Sequence, residues 1–191
     1  MRLFSAVVPP ANVLEDLAQF VAPRSEQDGP WRWNTDEQWH ITLAFMAAVE
    51  DWRIEGLVEG MRSAAARRSP FELGIAGAGN FPDPAAARVL YGQLTGDLAE
   101  LAQLATGCRS AAGQVGLQVD GGRYRPHVTL ARTAKPFNAT KWLQIFDSYT
   151  SPTWTVSEIM LIQSHLGEGP HGRPRYELVE SFAIAGAQSA N

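Results

Sequence analysis

The feature that most constrains this chain is a six-residue pattern that occurs twice. His40-Ile41-Thr42-Leu43-Ala44-Phe45 recurs as His127-Val128-Thr129-Leu130-Ala131-Arg132, displaced by close to half of the 191 residues. Over its first four positions each copy alternates polar and apolar residues, the period of a half-buried strand. Side chains alternate faces along a strand, so His40 and Thr42 share one face while Ile41 and Leu43 share the other. His127 and Thr129 are set against Val128 and Leu130 in the same way. Each copy therefore pins its apolar side in a core and shows an imidazole and a hydroxyl. Two similar half-chains meeting at a cleft would put one copy on each wall.

A lone histidine on a strand is ordinarily a core or surface residue. The same pattern in both half-chains is much harder to reach by accident, and the chemistry it offers is coherent. A neutral imidazole takes a proton from water, and a protonated one gives a proton to a leaving oxygen. The ordinary histidine pKa, near ~6.5, makes both forms available close to neutral pH. Threonine hydroxyls donate to non-bridging phosphate oxygens, and β-branched threonine suits a strand. The pair reads as a phosphodiester site.

The surrounding pattern is mixed. Leu3 to Val8, Trp31 to Asn34, Trp39 to Met46, Phe71 to Ala76, Val89 to Leu94, Tyr124 to Arg132, Thr153 to Leu166 and Arg175 to Ile184 have strand composition, with Gly77–Pro84 read as a turn. Helical spacing marks Ala11 to Val21, Trp52 to Arg68, Leu98 to Ala112 and Asn138 to Tyr149. Strands and helices do not alternate with a strict βαβ rhythm, which predicts an α+β fold with antiparallel sheets. The whole chain, 1–191, is expected to form one two-lobed domain with an alanine- and serine-rich flexible tail from about residue 186.

Composition narrows the class. Hydrophobic residues make up 45% and charged residues 19%, ordinary for a globular protein. No run of about 18 apolar residues suggests a membrane span, and the apolar N-terminal stretch is too short for a signal peptide. With a single cysteine, Cys108, an internal disulfide is impossible. A cytoplasmic monomer with no obligate protein partner is expected. The formal charge of −4 argues against a grip on long nucleic acid. It leaves room for a small substrate, or for an end held by a local cluster such as Arg123, Arg125, Arg132 and Lys135. A zinc site needs three or four ligands at fixed geometry, and no His, Cys or Asp group has that spacing.

At these motifs the chain resembles the 2H phosphoesterases, and within them the bacterial and archaeal RNA 2',3'-cyclic phosphodiesterases once named 2'-5' RNA ligases. Trp31-Arg32-Trp33 leading to Trp39–Phe45 is similar to the family's first motif, and Arg123–Arg132 to its second. Gly77–Pro82 with Arg88–Tyr91, and Ile159–Leu166 with Tyr176–Ile184, resemble its central and closing segments. The resemblance implies two pseudo-symmetric lobes, each an antiparallel sheet with helices on its outer face, around a central cleft that needs no metal or other cofactor. It implies His40 and His127 as the acid–base pair, Thr42 and Thr129 as phosphate donors, and Phe45 and Arg132 as substrate contacts. The expected reaction opens a 2',3'-cyclic phosphate on RNA or a nucleotide to a 2'-phosphate. Alternatives are a phosphodiesterase for 2'-5' linked oligonucleotides or another small cyclic phosphate, and a non-catalytic RNA-end binding module.

Two features sit awkwardly. Phe45 and Arg132 lie five residues after a histidine, on the opposite face of a regular strand, so a bulge or twist must turn them in. Met46-Ala47 stands where the family usually has Leu-Gly. Elsewhere, His165, His171, Arg173 and Arg175 near the Gly167–Pro174 loop read either as a lid or as a mobile surface loop. Trp31, Trp33 and Trp39 read either as base-stacking or as packing residues. Cys108 reads as a buried thiol.

Overall fold

The computed structural model describes residues 1–27, 29–119 and 121–186. Nine strands among them form one sheet, antiparallel at every pairing: β1 (Leu3–Val7), β2 (Arg32–Trp33), β3 (Ile41–Met46), β4 (Phe71–Phe81), β5 (Ala87–Gly96), β6 (Val128–Phe137), β7 (Trp154–Val156), β8 (Glu158–His165) and β9 (Arg175–Ala183). Four α-helices accompany them: α1 (Ala11–Ser25), α2 (Ile54–Ala66), α3 (Leu98–Gln114) and α4 (Thr140–Phe146). The class is α+β, as the sequence pattern predicts.

The two motif strands are neighbours at the middle of the sheet. β3 and β6 pair at Ile41 opposite Val128, the same position in each motif. A local two-fold relation follows for the two histidine strands. Outward from this seam the order is β3-β1-β8-β9 on one side and β6-β5-β4-β7 on the other. β2 continues alongside β6 beyond β3, with Arg32 opposite Arg132 and Trp33 opposite Ala131.

One face of the sheet packs on the helices. Ile41, Leu43, Val128 and Leu130 join Leu57 and Met61 of α2 and Leu101, Leu104 and Cys108 of α3 in the main core. On α1, Val13, Leu17 and Val21 are buried at a four-residue spacing. Phe20 of α1 meets Phe146 of α4 edge-on, ring centroids 5.0 Å apart. The opposite face carries a smaller apolar layer, in which Phe4, Ala6 and Ile162 are joined by Phe45 and Tyr176. That layer is the floor of a cleft.

Several boundaries differ from those the pattern suggests. The Gly77–Pro84 segment belongs largely to a strand, because β4 continues to Phe81 past a register shift between Ile75 and Ala78. Gly77 lies in that irregularity with φ of 70°, a backbone angle that glycine adopts without a Cβ penalty. β6 begins at Val128, not Tyr124, and runs on to Phe137. The Thr153–Leu166 segment is two strands, not one. At the C-terminus the Gly186 amide donates to the Arg68 carbonyl, 2.9 Å, and the remainder of the expected tail lies outside the described residues.

Candidate active site

A cavity of about 380 Å³ lies over the β3–β6 seam, on the face away from the helices. Its lining includes His40, Thr42, Phe45, His127, Thr129 and Arg132. All six residues singled out from the motifs are thus in one place.

Phe45 and Arg132 reach the cavity through a matched pair of bulges. Along β3, Thr42 pairs with Ala6, but Ala44 and Phe45 pair with Ser5 and Phe4. Leu43 is the extra residue. Along β6, Thr129 pairs with Tyr91, but Ala131 and Arg132 pair with Leu90 and Val89, so Leu130 is extra. One inserted residue reverses the parity of everything after it. Phe45 and Arg132 therefore come round to the histidine faces.

Each bulge is tied down by the segment leading into the other motif. The Asn34 amide N–H donates to the Leu130 carbonyl, 2.8 Å, and its side-chain Nδ2 donates to the Thr129 carbonyl, 3.0 Å. The Tyr124 hydroxyl donates to the Thr42 carbonyl, 3.1 Å. These contacts satisfy backbone carbonyls that the disrupted ladder leaves free.

The imidazoles are held alike. His40 Nδ1 lies 2.9 Å from the Gln38 carbonyl, and His127 Nδ1 lies 2.7 Å from the Arg125 carbonyl. A carbonyl only accepts, so in each ring Nδ1 carries the proton and Nε2 is left as the free acceptor. Each ring also has two aromatic neighbours. His40 sits 4.6 Å from Phe4 and 5.5 Å from Tyr176 between ring centroids. His127 sits 5.1 Å from Phe81 and 5.2 Å from Tyr91. Gly79 makes the Tyr91 position available, since any Cβ there would collide with the Tyr91 ring.

Burial and neighbouring cations bias both rings toward the neutral form. Desolvation, opposed in part by the Gln38 hydrogen bond, brings His40 down from 6.5 to about 4, with His127 and Arg132 adding repulsion. His127 is lowered as well, first by desolvation and then by Arg132, against the hydrogen bond to Arg125.

The family model of the 2'-5' RNA ligase superfamily matches residues 9–168. The chain belongs to that superfamily. It is 31% identical over 162 residues to the RNA 2',3'-cyclic phosphodiesterase of Geobacillus stearothermophilus, covering 83% of this chain and 49% of that protein, so the chain spans about half that relative's length. It is 30% identical over 153 residues to the RNA 2',3'-cyclic phosphodiesterase of Aeropyrum pernix, covering 78% of this chain and 86% of that protein. Among solved structures, E. coli LigT complexed with 3'-AMP superposes with a TM-score of 0.76 at 25% identity, covering 96% of this chain and 97% of that one. TT0787 of Thermus thermophilus gives 0.75 at 25% identity, covering 97% and 99%.

Within this superfamily member the cavity holds residues that the motifs alone did not reveal. Phe4 and Tyr176 flank one ring, and Arg2, Arg32 and Asn34 complete the wall. Arg32 and Tyr176 fell within segments that carry the resemblance, but nothing in their spacing marks them as cleft residues. Of the basic cluster expected around the second motif, only Arg132 lines the cavity. The remaining cations there are Arg2, Arg32 and Arg173, and no Asp or Glu lines it. From the Gly167–Pro174 loop, Arg173 and Pro174 face the cavity; His165 is turned to Glu177 at 3.0 Å, and His171 is exposed. Trp31, Trp33 and Trp39 are buried in the main core. Cys108 is fully buried, and burial pushes its thiol up to about 12, far from a nucleophile's range. Among described non-glycine residues only His171 has a left-handed backbone angle, so the Ala47 position does not call for the one that glycine would permit. No group of three or more His, Cys, Asp or Glu among the described residues is placed to hold a metal ion. No described helix is long and apolar enough to cross a membrane.

Proposed function

We propose that this chain hydrolyses 2',3'-cyclic phosphate ends of RNA or nucleotides to 2'-phosphates by acid–base catalysis from His40 and His127, without a metal. The observation that carries this reading is the pair of Nδ1-anchored imidazoles beside Thr42 and Thr129 in one cavity. The names of the superfamily relatives, RNA 2',3'-cyclic phosphodiesterases, support the choice of substrate.

The free Nε2 of one imidazole takes a proton from water as the water oxygen bonds to phosphorus. The other imidazole enters protonated and gives its proton to O3' as the P–O3' bond breaks. The products are a 2'-phosphate and a 3'-hydroxyl, and the two rings have exchanged protonation states. Both pKa values are lowered, and an anionic phosphate between the rings favours the protonated form that the acid role needs. The Thr42 and Thr129 hydroxyls donate to the non-bridging oxygens, and Arg132 offsets the charge that builds there. Phe45 packs against the sugar or base.

The deciding experiment is an assay of the purified protein in EDTA on 2',3'-cyclic AMP, an RNA with a cyclic phosphate end, and 2'-5' oligoadenylate. Turnover of the cyclic phosphates to 2'-phosphates should survive chelation. Activity that disappears in EDTA and returns with zinc or manganese would overturn the two-histidine mechanism. Cleavage of 2'-5' oligoadenylate alone would move the assignment to that substrate class.

A further inference from the structure

The wall of the cavity beside β2 carries more positive charge than the reacting phosphate needs. The β2–β6 register sets Arg32 directly opposite Arg132. Like charges facing one another across a sheet repel and cost stability. A third cation joins them, because the Arg173 guanidinium donates 2.7 Å to the carbonyl of Trp33, the residue after Arg32. Among the described residues no carboxylate pairs with any of the three. The contrast with Arg175 is informative. Two residues beyond Arg173, it is bridged by both Glu168 and Glu177 at 3.0 and 3.1 Å. Acids are at hand in the same hairpin, yet none faces the cavity.

A 2',3'-cyclic phosphate carries one negative charge, and in the reading above two threonine hydroxyls, two imidazoles and Arg132 already serve it, which leaves Arg32 and Arg173. Every RNA chain that ends in such a phosphate brings a second one, the diester on O5' of the same terminal nucleoside. A free nucleoside 2',3'-cyclic phosphate does not. We propose that Arg32 and Arg173, beside Arg132, form an anion subsite for the 5'-phosphate of the terminal nucleotide, which makes the enzyme select phosphate-bearing ends over free cyclic nucleosides. This rests on the cyclic phosphodiesterase reading above and adds the site that distinguishes its substrates.

The test compares adenosine 2',3'-cyclic phosphate with the same molecule carrying a 5'-phosphate. In the wild type kcat/KM should be roughly tenfold or more higher for the 5'-phosphorylated substrate, mainly through KM, as charge-assisted guanidinium–phosphate bonds predict. In Arg32→Gln and Arg173→Gln that ratio should fall to about threefold or less. A wild-type ratio near one, or a ratio that neither variant changes, overturns the subsite. A binding arm keeps the question separate from turnover. By calorimetry, adenosine 2',5'-bisphosphate should bind the wild type about tenfold more tightly than adenosine 2'-phosphate, and each variant should lose that margin. If neither substrate is hydrolysed, the proposed function fails, while the binding comparison still decides the subsite. Equal affinity for the two nucleotides in the wild type counts against it.

Discussion

At the residue scale, the two histidines are matched in the contacts that hold their rings: a carbonyl two residues upstream on Nδ1, two aromatic rings alongside, and a threonine two residues on. His40→Ala and His127→Ala should each lower kcat by about a thousandfold, the scale of one lost acid–base role. The double variant should be hardly slower than either single one, because groups that act as a unit are non-additive. Steady-state rates of the three variants check this, and a single variant that keeps most of its rate removes that residue from the mechanism. The lowered pKa of His40 also has a stability consequence. Its folded value is about 4 against an ordinary 6.5, so between those pH values the unfolded chain binds a proton that the folded one does not. The contribution is present above about pH 6.5 and is lost as pH falls through about 4, at most on the order of 3 kcal/mol at 1.36 kcal/mol per unit. Urea unfolding from pH 7 to pH 4 should show a steeper loss for the wild type than for His40→Gln. Parallel curves would show that His40 does not titrate differently in the two states.

At the element scale, the site depends on two strands that each depart from regularity at one leucine. The alternation of His40 with Thr42 and of His127 with Thr129 is legible in the sequence because it needs only the period of a strand. The turning-in of Phe45 and Arg132 is not, because a bulge is defined by two strands at once. Leu43 and Leu130 are bulge residues only in relation to the partners β1 and β5. Asn34 shows the same dependence. In the sequence it is only the last residue of the strand-like segment Trp31 to Asn34, yet its side chain holds the Thr129 carbonyl across the β2–β6 junction. Asn34→Ala should cost about 1 kcal/mol of stability, the usual net value of such a hydrogen bond. It should lower kcat more than it raises KM, since the loosened bulge carries Thr129 and Arg132. A change in KM alone would mean that Asn34 acts as a substrate contact and not as a positioning residue.

At the scale of the whole molecule, charge is unevenly distributed. The chain carries a formal −4, but four arginines and no carboxylate line the cavity. An anionic substrate is repelled by the average surface and drawn to one place, the arrangement that focuses a field into a cleft. KM for a cyclic phosphate substrate should therefore rise, roughly tenfold, as salt goes from about 0.01 to about 0.1 M and the screening length shrinks from about 30 to about 10 Å. The same titration should leave kcat within about twofold, because the proton transfers occur over hydrogen-bond distances that salt does not screen. A salt-independent KM would show that the arginines do not attract the substrate.

The sequence by itself determined the α+β class, the two histidine strands, and the chemistry that a doubled His-x-Thr pattern offers. Those conclusions follow from local periodicity and from the side chains themselves, and need no knowledge of neighbours. The tertiary structure alone decided that the two motifs sit side by side at Ile41 and Val128 within a single sheet. It also decided that Arg132, expected from the second motif, is joined in the cleft by Arg2, Arg32 and Arg173 and not by Arg123, Arg125 and Lys135, the rest of the cluster around that motif. Arg123, Arg125 and Lys135 are near His127 in the chain but do not line the cavity; the Arg125 guanidinium lies over the Phe81 ring instead. Arg2, Arg32 and Arg173 come from three distant segments, and only cross-strand pairing, which no local pattern encodes, brings them to one wall.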